Sequence, residues 1–193
     1  MDNASRSEVR ISYRIDASGR IVWVNPAWER FALENDGEAV MSGKIIRRNL
    51  FDMIADKRVC GIYAEVITRA RQGTVVEFDY RCDAPAWRRT FSMTVTPLGD
   101  GVVEFTSTLR HQEARPSVGF LEAGMARDER LLKICSWCQK VATPAGTWLP
   151  VEEAVARLRL MEADTFPGIT HGMCESCYSN AIADLELHPA SPG

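Results

Sequence analysis

The sequence predicts an α+β protein in two parts, and three observations carry that expectation. Two runs of alternating apolar and polar residues open the chain, and three more follow near residue 100: Val76, Phe78 and Tyr80, then Phe91, Met93 and Val95, then Val103 and Phe105. Between these groups, Val59, Ile62, Tyr63, Val66, Ile67 and Ala70 recur at helical spacing. Near the C-terminus stand two pairs of cysteines, Cys135-Ser136-Trp137-Cys138 and Cys174-Glu175-Ser176-Cys177. Strands grouped at both ends of a helical stretch predict a five-stranded antiparallel sheet with helices on one face. The cysteine pairs predict a small, mostly helical module held by a metal.

The elements follow in order. Ile11 to Ile15 alternates and reads as a strand; Asp16-Ala17-Ser18-Gly19-Arg20 is turn chemistry; Ile21 to Val24 completes a hairpin. Asn25 then caps a helix that starts at Pro26, since its side chain can accept a free backbone N–H and proline there forfeits none. That helix carries Trp28, Phe31 and Leu33 and stops near Asn35-Asp36-Gly37. Short helical turns are expected around residues 49–54, and Gly73 ends the long helix that begins at Lys57. Gly99-Asp100-Gly101 turns the last hairpin.

Residues 111–133 read as a junction, with a linker at residues 115–119 and a helix-compatible stretch from Phe120 to Lys133 serving as a connector or short dimer helix. Pro150 starts a helix with Glu152 and Glu153 in its first turn, where the helix dipole favours acids. Residues 165–172 read as a loop. A final helix follows the second cysteine pair, with Tyr178, Ile182 and Leu185 turned inward. The domain expectation is 9–110 for the sheet domain, 111–133 for the connector and 134–187 for the cysteine module.

Composition narrows the function classes. The chain has 193 residues, 46% hydrophobic and 25% charged, with a net charge of −3. That charge gives no overall positive field for nucleic acid or an anionic membrane. The polar start lacks the apolar core of a signal peptide, and no stretch approaches the length of a membrane span. A cytoplasmic setting with reduced thiols is therefore expected, where paired cysteines read as metal ligands. Two pairs with two-residue gaps supply four thiolates for tetrahedral zinc; iron, mononuclear or in a cluster, is the alternative for the same donors. His171, three residues before Cys174, is a further candidate, either as a ligand or hydrogen-bonded to one. Neither cysteine pair is followed by histidine, which excludes covalent haem attachment.

The order of elements resembles the PAS domain, a five-stranded sensor fold, over residues 9–110. The residues that carry the resemblance are the hairpin Asp16-x-x-Gly19-Arg20-Ile21, Asn25 before a helix with Trp28 and Phe31, and the long helix before three closing strands. Tyr80-Arg81-Cys82-Asp83-Ala84-Pro85, then Arg88-Arg89 and Phe91-Ser92-Met93, is similar to a group of bacterial PAS-like sensor proteins. Several of these end in a segment matching Cys135, Cys138, Gln139, Trp148, His171, Gly172, Cys174 and Cys177. The resemblance implies a signalling protein, found alone or beside kinase and response-regulator modules.

A small molecule held in the PAS-like part would be lined by Trp23, Tyr63, Val66, Ile67, Phe78, Tyr80, Phe91 and Met93; residues at these spacings equally fill a core. No histidine precedes residue 110, so a haem there has no histidine ligand. Cys82, beside Arg81 and near Arg88 and Arg89, is a candidate redox thiol if those cations approach it; the same charged run also reads as a solvated loop with one internal ion pair. No Ser/His/Asp set, phosphate loop or kinase motif is present, so the expectation is a non-enzymatic regulator. Its expected partners are a signalling protein and a second copy, paired through the PAS-like domain or the connector. A redox or metal sensor is the alternative, and DNA binding through the zinc module is a third reading, disfavoured by the acidic balance.

Overall fold

The computed structural model describes residues 9–35, 37–122, 124–162 and 165–187. Asp36, where the first helix was expected to stop, and the proline-rich tail from residue 188 lie outside the described residues.

The first part is the antiparallel five-stranded α+β layout that the sequence predicts. Strands β1 (Arg10–Ile15), β2 (Ile21–Val24), β3 (Val76–Arg81), β4 (Trp87–Gly99) and β5 (Val102–Ala114) lie in the order β2-β1-β5-β4-β3. Helices α1 (Pro26–Glu34), α2 (Ser42–Ile45) and α3 (Lys57–Arg71) are inserted between β2 and β3, together with 3-10 turns at Glu38–Val40 and Leu50–Met53. Asn25 caps α1 as expected: its Oδ1 accepts from the Trp28 amide at 2.9 Å, and also from Ser12 N at 3.1 Å on β1. Asp56 caps α3, accepting from Arg58 N at 2.9 Å. Gly101 in the β4–β5 turn has φ +75, and a Cβ there would meet Ala17 Cβ at 2.8 Å, so only glycine fits.

The inner sheet face carries Ile15, Val95, Val103 and Phe105, all inaccessible, and packs on Val59, Ile62, Val66 and Ile67 of α3, while the equally buried Phe91 meets Phe31 of α1. Tyr13 stacks on Phe105 at 4.7 Å and meets Trp28 edge-on at 5.5 Å.

The junction departs from expectation. Strand β5 runs on to Ala114, a 3-10 turn covers Gly119–Leu121, and residues expected as a connector helix form strand β6 (Arg127–Cys135). The stretch 165–172, expected as a loop, is strand β9 (Phe166–Gly172) and pairs in parallel with β6, with Leu132 opposite Ile169. Strands β7 (Val141–Ala142) and β8 (Trp148–Leu149) complete a second sheet, β8-β7-β6-β9. Along β6, Leu132 and Ile134 are buried while Leu131 and Lys133 face outward, a period-2 pattern that the charged start Arg127-Asp128-Glu129-Arg130 masks. The C-terminal part thus holds a sheet as well as helices α4 (Val151–Arg157) and α5 (Glu175–Leu187).

Among the described residues the buried apolar side chains form two clusters. One gathers Val118, Phe120, Ile134, Val141, Val151, Ala154 and Phe166 around β6 and α4. The other is the sheet core of the first part, and it includes Cys135, Met173 and Cys174. The cysteine turns and α5 are therefore packed onto the five-stranded sheet domain.

Candidate metal centre

The four cysteines sit where two elements end. Cys135 is the last residue of β6, and the chain turns tightly through Ser136, Trp137 and Cys138 before β7. Cys135 N donates to Lys140 O at 2.8 Å and Gln139 N to Cys135 O at 3.0 Å; Gln139 takes the left-handed conformation, φ 61, to close this turn. The second pair follows β9: Cys174 accepts the Tyr178 amide at 3.0 Å, and Cys177 lies in the first turn of α5. Parallel pairing of β6 with β9 sets Cys135 opposite Gly172, and Ser136 N bonds Gly172 O at 2.8 Å, so both turns leave the same end of the sheet.

This brings the sulfurs together: all four lie within 4.8 Å of one another, and Cys138 Sγ is 3.7 Å from Cys174 Sγ. A tetrahedron with metal–sulfur bonds of about 2.3 Å has edges of about 3.8 Å, so the cluster has the size of a four-thiolate site. The four cysteines can hold a metal ion. Cys135 and Cys174 are buried while Cys138 and Cys177 are half-buried, so the site has an inner and an outer pair.

The electrostatics of the cluster favour a cation. Hydrogen bonds from the Cys138 thiol and, after it, the Cys174 backbone N–H (3.4 Å from Cys135 Sγ) hold the Cys135 thiol below its ordinary value. The same contact with Cys135 pushes the Cys138 thiol up, and burial raises Cys177 to about 12. One thiolate forms readily and then opposes its neighbours; four together require a compensating charge.

His171 lies on β9 opposite Ile134 and is exposed as a residue. It is outside the group of mutually close donors, which among the described residues consists of the four cysteines. His171 instead lines a cavity of about 470 Å³ formed by the Leu50–Met53 turn, the start of α3, β3, β9 and the first cysteine turn. Desolvation there lowers its pKa below the ordinary histidine value.

Of the pocket candidates, Tyr63, Phe78 and Tyr80 line this cavity. Val66, with Phe78 again, lines a second, wider groove along β3. Ile67, Phe91 and Met93 are buried core residues, Phe91 packed between Phe31 and Tyr80. Trp23 belongs to neither: it pairs with Arg14 on the outer sheet face, with the Arg14 guanidinium 4.2 Å from its ring, because the β1–β2 register turns it away from the core.

Sequence reasoning missed Trp137. Its indole, held between Cys135 and Cys138, stacks on Phe78 at 5.2 Å and meets Tyr63 edge-on at 6.3 Å. Trp137 O accepts Arg81 N at 2.8 Å from edge strand β3, and Gln139 Nε2 donates to Arg81 O at 3.2 Å. A large aromatic between the two cysteines of a tight turn was the available signal.

The Tyr80–Pro85 stretch also has a different role from the one expected. The Asp83 side chain is fully buried; it pairs with Arg81 and, at 3.1 Å, with Arg115, whose side chain is 2% exposed. Arg115 also reaches Glu152 of α4 at 3.0 Å, and Arg88 reaches the same carboxylate at 2.8 Å. This is a buried clamp across both parts of the chain rather than a solvated loop. Burial pushes the Cys82 thiol up despite Arg89, whose Nε is committed to Cys82 O at 2.7 Å, so the cations do not prepare a thiolate there.

No family model matches the chain, and no curated protein matches it. Among solved structures, the chain is similar to the photoactive yellow protein domain from the sensor histidine kinase Ppr of Rhodospirillum centenum. The identity is 16%, covering 57% of this chain and 94% of that one, with a TM-score of 0.36. Among the described residues, no helix is long and apolar enough to cross a membrane.

Proposed function

We propose that this chain is a non-enzymatic signalling protein in which a four-cysteine zinc centre completes the binding cavity of a PAS-like sensor part. The observation that carries this reading is Trp137, which belongs to the cysteine turn and stacks on Phe78 and Tyr63 of the sheet domain. The cavity beside it has walls from both parts: Leu50, Val59 and Tyr80 on one side, Ser136, Ile169 and His171 on the other. An occupant of this space would touch the sheet and the cysteine turn together, which gives a route from ligand to metal centre.

Zinc, when bound, supplies the positive charge that lets all four thiols ionise and fixes the two turns together. With four protein donors the site is of the structural kind. The residues around it do the transmitting: Trp137 reads the cavity, and Arg58 ties α3 to Met173 O and to Glu175 at the start of α5. The output is a changed contact with a signalling partner. The half-buried outer sulfurs, Cys138 and Cys177, favour the redox or metal-sensing reading as the second choice, since they are where an oxidant would reach the site.

Native mass spectrometry of the intact chain, purified without added metal, tests both occupants. The expected result is one zinc per chain and a small-molecule adduct that is lost when Ile169→Trp fills the cavity. A zinc-bound chain with no adduct would remove the sensor reading. Iron, with visible absorption, would move the function to the cysteines.

A further inference from the structure

The free edge of the sheet lies beside a groove, and together they point to a peptide-binding site. Strand β3 is the last strand of the five, paired on one side with β4. Cys82 N bonds Arg89 O toward β4, whereas Arg81 N bonds Trp137 O on the opposite side. Strand alternation then directs the backbone N–H and C=O groups of Glu77 and Asp79 outward with those of Arg81. The cysteine turn satisfies Arg81, through Trp137 O and Gln139 Nε2. Among the described residues no backbone group meets Glu77 or Asp79 on that side. The edge opens into a groove of about 730 Å³ between β3 and α5, whose apolar wall includes Val66, Ala181 and Leu185.

We propose that β3 binds an extended segment of a partner protein whose residues alternate apolar and basic. The pattern of the occupant follows from the pattern of the edge. Side chains opposite Val76 and Phe78 would turn inward, under α5, and meet its apolar wall. Those opposite Glu77 and Asp79 would face the exposed outer side, where two carboxylates call for Lys or Arg. Asp184 adds a third acid to the groove, and its basic residue, Arg69, is already engaged by Glu65 and the Leu185 carbonyl. Charge also argues against a second copy: antiparallel pairing of β3 with itself sets acid against acid on one face. Residues 188–193 of the chain itself, His188-Pro189-Ala190-Ser191-Pro192-Gly193, carry two prolines, which cannot donate to a ladder.

Fluorescence anisotropy with a labelled nine-residue peptide alternating Lys with Val and Ile tests this on the full chain. Two control peptides accompany it, one with Glu in place of Lys and one N-methylated at alternate amides. The basic peptide should bind, and the charge-reversed variant Glu77→Lys/Asp79→Lys should weaken it by about tenfold or more while strengthening the acidic peptide. Both substituted side chains are exposed, so the variant should fold as the parent does. Equal binding of the N-methylated peptide would show charge attraction without strand pairing and overturn the proposal. So would an unchanged affinity in the variant. A chain ending at residue 187 that binds about tenfold more tightly than the full chain would assign the edge to the tail. Self-association abolished by the charge reversal would assign it to a second copy.

Discussion

The indole of Trp137 lies 5.2 Å from the ring of Phe78 and is tilted from it by 22°, so a residue of the cysteine turn is stacked on the edge strand of the five-stranded sheet. From Phe78 and Tyr63 the aromatic contacts run on through Phe105 and Tyr13 to Trp28 on α1. A disturbance at the cysteines thus has packed neighbours to act on, well into the first part.

Trp137→Ala should cost about 2–4 kcal/mol of stability, below the full range for a core tryptophan because the ring is only half-buried. Urea unfolding measures this. The same variant should loosen metal retention under a chelator, because the turn loses its seat on β3 while all four cysteines remain. Unchanged retention would mean that the turn is rigid on its own.

The clamp at Asp83 gives a second expectation. Asp83→Ala takes from the buried Arg115 one of its two carboxylates and from Arg81 its partner, and a loss of about 3 kcal/mol is expected. Removing both, as Asp83→Leu with Arg115→Met, should cost less than the sum of the single changes, since each single change leaves a buried charge with one partner fewer. A double-mutant cycle by urea unfolding reads the difference; additive losses would show that the two residues do not act as a pair.

Three tyrosines set the alkaline limit. Burial raises the phenol of Tyr63 to about 12 and pushes those of Tyr13 and Tyr80 up as well, from an ordinary value of 10.0. The folded-state values lie above the unfolded ones, so this stability is fully present below pH 10 and is lost as pH rises toward 12 and beyond. Tyrosinate absorbance against pH should show these three phenols ionising only as the tertiary signal collapses. Ionisation of all tyrosines near pH 10 in a folded chain would contradict the packing.

Much of the first part was legible because its signals are local. Asn25 before Pro26 marks a cap, Gly73 an end, and Phe91-Ser92-Met93 a half-buried strand, each from neighbours alone. The cysteine cluster was legible because two pairs at the same two-residue spacing can turn four sulfurs toward one point. What escaped depends on distant partners. Residues 127–135 begin with four charges and become a strand by pairing with residues 166–172, some forty positions away. Arg115 reads as linker until Asp83 and Glu152 close around it. Trp23 alternates as an inward residue does, yet the β1–β2 register sends it outward beside Arg14. No spacing rule along the chain carries that kind of information.

A metal held by the four cysteines would join the two halves of the fold, since Cys135 and Cys174 are packed in the core of the first. Metal content by mass spectrometry, with near-ultraviolet circular dichroism of the parent and of Cys174→Ser, tests it most directly. One zinc per parent chain is expected, with zinc lost in the variant and the aromatic signal of Tyr63, Phe78 and Trp137 lost with it. A metal-free parent, or a variant without metal that keeps the full aromatic signal, would contradict the account.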